Sequence, residues 1–517
     1  MLTHTPKTQP TGRTAMLGVD LPARHTLITE TLREDSVVRA ITNAAQKRNL
    51  STAKTQRIAH SYAREIAANF SYLFARLIRP VLRGLWGRVY DSVTLHHGED
   101  LAAMIAGHTP IYVPCHRSHL DYLLLPYLLH TRNLPIPLAA AGNNLNIPLM
   151  GSVLRWGGAF YIRRSFRGNR LYAAVFQSYT ATLLRHGAAL EYFIEGGRSR
   201  TGLILKPRMG LLDMTLRAGL VSPQRPLVLI PIHIAYESVL ESHGYLAELA
   251  GQSKQRESLR SLWRGLVDLR KPRGEVHVNI GEPLYVHPIF DHYQPDWRTP
   301  ATESPLMTRP DWLQACTRQL ARQIVTGINH AAVVTSIGLL ACAVLDNEVD
   351  NAAPQAVAVN QVMARFSALQ QLLHAWQYST RCMVTQRSAA DSIAQACRLE
   401  LVSQPTAEQI ATNATQRGLL DYHRNTVRHV LALPSAVAAC LSAQTRCSTE
   451  ALLARITQRY ADLADTLFLP WAVEALAEPL HTLLRALADL GWLHTDATGW
   501  QATEAHQPDW QLLARLA

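Results

Sequence analysis

Cysteine is too scarce and too scattered to build a framework: the 517 residues hold seven, an odd number, with no pair in CxxC spacing. That argues against a disulfide scaffold and a thiolate zinc site and favours a reducing compartment. Long apolar runs are missing too. The longest, AAVVTSIGLLACAVL at 331–345, contains Thr335 and Ser336 and falls short of the roughly 20 residues that cross a bilayer, so it reads as a buried helix and any membrane contact is expected to be peripheral. No basic start followed by an apolar core and a small-residue cleavage site marks a secretory signal. There is no GxGxxG and no glycine loop ending in Lys-Ser/Thr, which removes the dinucleotide and P-loop readings. Acidic residues are short, 39 against 51 basic, for a net charge of +12 and a pI near 9.5. The surplus implies an anionic partner: a membrane surface, a phosphorylated or acidic substrate, or nucleic acid. With aromatics at 7% and no RRM, finger or helix-turn-helix signature, nucleic acid is the weakest of these.

What is present is the composition of a folded protein, 48% hydrophobic and 17% charged, in a chain too long for one ordinary core. Residues 1–33, rich in Thr, Pro and basic groups without periodicity, are expected to be disordered. A helical region follows over 34–94. Within it Phe70, Leu73, Phe74, Leu77, Ile78, Val81, Leu82, Leu85 and Trp86 recur at helical spacing, opposite Arg76, Arg79, Arg83 and Arg88. Such a helix either packs on its own domain, the commoner outcome, or lies in a membrane interface. Pro80 is expected to kink or split it. From 95 to 302 short apolar runs alternate with helical ones: PIYVP, IPLAAAG, GAFYIRR, ALEYFIEGG, PLVLIPIHIAYE and VHVNIGEPLYV. This texture predicts an α/β domain with a mostly parallel sheet buried on both faces and flanked by helices. Residues 303–517 are Ala- and Leu-rich, read as mainly helical with a terminal hairpin and helix, and carry no polar constellation of their own.

Functional residues in such a fold belong beyond the C-terminal ends of the strands, where the conspicuous ones fall. In VPCHRSHLDYLLLPYLL, His116 and Asp121 stand five apart. Ser118 as N-cap with Asp121 at N3 would make a capping box and leave His116 a loop residue. The same geometry lets Asp121 hold Nδ1–H of His116 and leave Nε2 as a general base. The spacing alone proves little, because His25/Glu30, His60/Glu65 and His186/Glu191 share it. Cys115, beside His116, reads as a buried hydrophobe, so the substrate must supply the nucleophile, for example a hydroxyl. The second element, EYFIEGGRSRTGLILKPRMGLL, offers glycines for close backbone approach and Arg198, Arg200, Lys206 and Arg208 for an anion. The third, GGAFYIRRSFRGNRLY, puts Arg163 and Arg164 at the same strand edge.

HRSHLD, GAFYIRR, FIEGGRSRTG and LIPIHIAYE resemble the four motifs of the glycerolipid acyltransferases. EGGRSRTG is most similar to the bacterial membrane-associated glycerol-3-phosphate 1-O-acyltransferases, over most of the chain but with a shorter N-terminal region. His233 departs from that pattern, in which tyrosine is commoner. The resemblance implies that His116 deprotonates the sn-1 hydroxyl of glycerol 3-phosphate while Asp121 orients it. The acyl group would come from a thioester of coenzyme A or acyl carrier protein. Arg163, Arg164, Arg198 and Arg200 would serve the acceptor phosphate with Lys206; Glu195, Gly196, Gly197 and Ser199 would shape the loop, and Pro231 would line the acyl side. It implies no cofactor or metal, an anionic membrane partner, and a peripheral place on the cytoplasmic face of the bacterial inner membrane. Dihydroxyacetone phosphate or lysophosphatidate as acceptor, a nucleic-acid-binding protein and a membrane scaffold remain as alternatives.

Overall fold

A computed structural model describes residues 16–166, 168–222, 225–249, 273–299, 303–345, 355–443, 446–496 and 499–516. Its centre is a sheet ordered β1(Ser92–His96), β7(Glu275–Ile280), β6(Leu227–Tyr236), β2(Thr109–Pro114), β5(Leu190–Glu191), β3(Leu138–Gly142), β4(Ala159–Ile162), with β8(Leu284–Tyr285) on β6. All neighbours are parallel except β6–β7 and β6–β8. Every residue of β2 and β6 is buried, as expected of strands covered on both faces. Because β2, β5 and β6 run parallel, their C-terminal ends open on one edge, where the segments beginning at Cys115, Tyr192 and Glu237 emerge together.

Helices close both faces. Arg24–Arg33, Asp35–Arg48 and Thr52–Ile66 pack with Arg170–Arg185. The expectation of disorder over 1–33 therefore fails at Arg24–Arg33: Leu27, Ile28 and Thr31 are buried there, and Ser178 donates to the Thr31 carbonyl (2.9 Å). Residues 1–15 lie outside those described. The helix Tyr72–Val89 runs through Pro80 without splitting. Pro80 sits on the exposed side, where water can satisfy the carbonyl that loses its donor. Only Trp86 and Val89 of this helix are buried; Leu73, Leu77 and Val81 are each more than 60% exposed.

No break in packing occurs at residue 303. The helix Trp312–His330 places Leu313, Leu320, Ile324 and Ile328 in the sheet's core, and a second core begins near Ala332. The apolar stripe of this helix covers the β6 face, with Gly327 directly over Pro231. The second core is mainly helical: Ser336–Val344 is buried throughout, Ala414–Ala443 is the long central helix, and the chain closes on an antiparallel pair, Leu493–Asp496 with Gly499–Ala502, and the helix Gln507–Arg515. No described helix is long and apolar enough to cross a membrane.

Candidate active site

The loop after β2 meets the loop after β5 under the turn that follows β6. His116 Nδ1 lies 3.0 Å from Asp121 Oδ2. A carboxylate oxygen only accepts, so Nδ1 carries the proton and the lone pair is on Nε2. No described residue hydrogen-bonds Nε2. The ring stacks on Phe193 (3.9 Å between centroids) and meets the edge of Tyr122 (5.4 Å). Burial depresses the imidazole pKa below the usual histidine value against the opposing pull of Asp121, so the neutral base is the form present near pH 7.

Asp121 is fully buried and starts the helix Asp121–Thr131. Its Oδ2 also accepts from the backbone N–H of Arg117 (2.7 Å) and Ser118 (2.9 Å), and its Oδ1 accepts from the Tyr236 hydroxyl (2.6 Å). Hence the expected N-cap at Ser118 does not form. The Asp121 carboxylate caps backwards, while Ser118 Oγ donates to Glu241 Oε2 (2.9 Å) and accepts from Leu120 N–H. Cys115 is locked: its sulfur accepts from Ile234 N–H, and burial raises its pKa to about 12.

The arginine loop is lashed to this segment. Glu195 Oε1 accepts His116 N–H (2.7 Å), Glu195 Oε2 accepts Leu205 N–H (2.8 Å), Ser199 N–H donates to the His116 carbonyl (2.9 Å), and Arg117 donates to the Gly202 carbonyl (2.5 Å). Burial pushes the Glu195 carboxyl up to about 7. Two glycines are required by conformation: Gly196 (φ +64°), where a Cβ would strike Arg208, and Gly202 (φ +87°), where it would stand 2.1 Å from the Tyr422 carbonyl oxygen. At Gly197 a Cβ meets only open space.

The expected arginines separate. Arg198 donates to Glu241 (3.3 Å) and to the Tyr245 hydroxyl (3.1 Å), Arg200 to Glu248 (2.5 Å); Tyr245 and Glu248 belong to the helix Ser242–Leu249, which the Tyr245 hydroxyl fastens to the Arg117 carbonyl. These arginines flank His116 and are held by carboxylates an anion could replace. Arg163 is committed elsewhere: Glu65 takes its Nε (2.7 Å) and Nη2 (2.6 Å), and its plane stacks on Tyr62 and Tyr172. Its expected phosphate contact is therefore not available, since a bidentate ion pair and two rings already fill its donors and faces. Arg164 and Lys206 are exposed. Pro231 does not line an acyl cavity: its ring packs against Gly327 behind the sheet. The decoy pairs dissolve, with His186 pairing to Glu30 and Glu65 to Arg163.

Tyr236, Glu237, Glu241 and Tyr245 were not singled out by the sequence. The available signal was position: Tyr236 ends β6, which is parallel to β2 with Pro114 beside Ile232, so its side chain comes level with the His116 loop.

Residues 92–235 match the family described as Acyltransferase, the class defined by this sheet and its histidine–aspartate loop. Residues 245–517, over half the chain, match the family described as the glycerol-3-phosphate acyltransferase C-terminal region; the chain belongs to the glycerol-3-phosphate acyltransferase family. It is 38% identical over 487 residues to a glycerol-3-phosphate acyltransferase of Pseudomonas putida (strain GB-1), covering 94% of this chain and 58% of that protein. To the protein of that name from Pseudomonas syringae pv. tomato it is 36% identical over 509 residues, covering 98% and 60%. The chain thus spans about three fifths of the length of these curated relatives. A solved 1-acyl-sn-glycerophosphate acyltransferase from Thermotoga maritima covers 49% of this chain and 80% of its own, at 16% identity and a TM-score of 0.27, a superposition too low to carry an argument.

Proposed function

We propose that the protein transfers a fatty acyl group from a thioester, on coenzyme A or acyl carrier protein, to the sn-1 hydroxyl of glycerol 3-phosphate, giving lysophosphatidate, the first step of phospholipid synthesis. The observation that carries this is a neutral His116 whose Nδ1–H is spent on Asp121, beside a cysteine too tightly held to be a nucleophile. Nε2 takes the hydroxyl proton as the oxygen attacks the thioester carbonyl. Collapse of the tetrahedral adduct breaks the C–S bond, and the imidazolium returns the proton to the departing thiolate. No covalent enzyme intermediate, cofactor or metal enters this scheme. Arg198 and Arg200 bind the acceptor phosphate by exchanging Glu241 and Glu248 for it. The names and 36–38% identity of the relatives support this choice of acceptor.

The same reading includes peripheral attachment to an anionic bilayer, on the cytoplasmic face of the inner membrane. Exposed Leu73, Leu77 and Val81 on one helix, and Leu149, Val153 and Trp156 on and beside another, belong to elements joined by a Phe74–Trp156 ring contact. Exposed Arg76, Arg79 and Arg83 rim the first helix; an apolar face with a basic border suits an interfacial helix. Purified protein with palmitoyl-CoA, labelled glycerol 3-phosphate and anionic vesicles should yield lysophosphatidate, and no product with any thioester donor would refute the reading. Replacing Leu73, Leu77 and Val81 by serine should release the protein from vesicles in a flotation assay; unchanged flotation would remove this face from the membrane contact.

A further inference from the structure

Tyr236 and Glu237, neighbours at the end of β6, are both buried and do different things. Three donors crowd Asp121 Oδ2, whereas the described partner of Oδ1 is the Tyr236 hydroxyl at 2.6 Å. That bond decides which carboxylate oxygen faces His116. Tyr236 packs on Tyr90 (5.9 Å), and burial raises its hydroxyl pKa well above the usual value, so it is a donor at any working pH.

Glu237 next door is gripped from the other half of the chain. Its Oε1 accepts from Ser336 Oγ (2.5 Å) and Arg387 (3.0 Å), its Oε2 from Gln395 (2.7 Å) and the Glu275 backbone N–H (3.0 Å). Its own N–H donates to the Glu275 carbonyl. Gly274 leaves the space: a Cβ there would stand 2.5 Å from Glu237 Oε2. A carboxylate 1% exposed is costly unless every lone pair is served, and here three side chains from beyond residue 330 serve it.

We infer that Tyr236 is a positioning residue for the Asp121–His116 pair, and that the C-terminal helical region sets its place by clamping Glu237. This rests on the reading of His116 as the base. The clamp gives that region a part in the chemistry although it contributes no group that touches the substrate.

The test uses the full chain with Tyr236→Phe, which keeps the ring, and Arg387→Lys, which loosens the clamp far from the substrate. Two quantities are read: kcat and KM for glycerol 3-phosphate across pH, and the ¹⁵N imidazole signals of His116, assigned by their loss in His116→Ala. Tyr236→Phe should lower kcat by roughly tenfold to a hundredfold, less than the whole contribution of a general base, with KM within about twofold. Its acid limb should move to higher pH, because a carboxylate relieved of one donor pulls harder on the imidazole proton. Arg387→Lys should move both readouts the same way by less. A loss of kcat with unmoved pH profile and unmoved His116 signals would overturn the inference, as would wild-type behaviour. If Tyr236→Phe does not fold, Arg387→Lys decides alone. If the wild type transfers no acyl group, the imidazole signals still report: a shift upholds the positioning while the proposed function fails, and no shift overturns both.

Discussion

The two arginine sites, at Arg163 and at Arg198, look alike as sequence and differ as structure. Each follows a β-rich run, each is near a second arginine, and each could serve a phosphate. Arg163 is closed by a bidentate Glu65 and two tyrosine faces. Arg198 is held by one long bond to Glu241 and one to a tyrosine hydroxyl, beside the base. The difference teaches that a basic patch becomes a ligand site through what its charges are already doing, and that geometry rather than net charge separates the two.

Experiments can break that comparison. The largest effect is expected at the base itself: His116→Ala should lower kcat by about a thousandfold, within the range of general-base catalysis, with glycerol 3-phosphate still bound. In the wild type the acid limb of kcat/KM should lie below about 6.5, the ordinary histidine value, because burial depresses His116. A limb above it would contradict a neutral buried base. Next, Arg198→Ala should raise the acceptor KM by roughly tenfold or more, the equivalent of about 1.5–3 kcal/mol for a hydrogen bond to a charged group; an unchanged KM would put the phosphate elsewhere. Smallest is Arg163→Ala. With side-chain exposures of 33% and 20% for the pair, it should cost at most about 1 kcal/mol of stability in a denaturant melt and leave the acceptor KM within about twofold. A KM effect at Arg163 as large as at Arg198 would erase the distinction.

Much of this was legible in the chain. The strands announced themselves because β2 and β6 are buried on both faces and so read as unbroken apolar runs. The His116–Asp121 contact was legible because it is local, although by a different cap than the spacing suggested. The Ser118 hydroxyl was claimed by Glu241, 123 positions away. What stayed hidden has that form throughout: Glu65 on Arg163, Tyr236 on Asp121, and Ser336, Arg387 and Gln395 on Glu237 are pairings over long separations. No periodicity encodes them. The stripe on Tyr72–Val89 was visible, yet its exposure was not, since an amphipathic pattern is the same whether the apolar side meets protein or lipid.

The joint between the two halves also has a history in time. The base, its aspartate and the arginine loop leave the ribosome early, but the groups that grip Glu237 and press on the loop at Thr201 and Gly202, namely Ser336, Arg387, Gln395, Tyr422 and Asn425, come much later. At about 5–20 residues per second, the roughly 190 positions from Glu237 to Asn425 take on the order of 10–40 s to synthesise. For that interval a nascent chain holds the reacting residues without their brace. A stalled or C-terminally clipped chain would carry every motif and still lack a finished site.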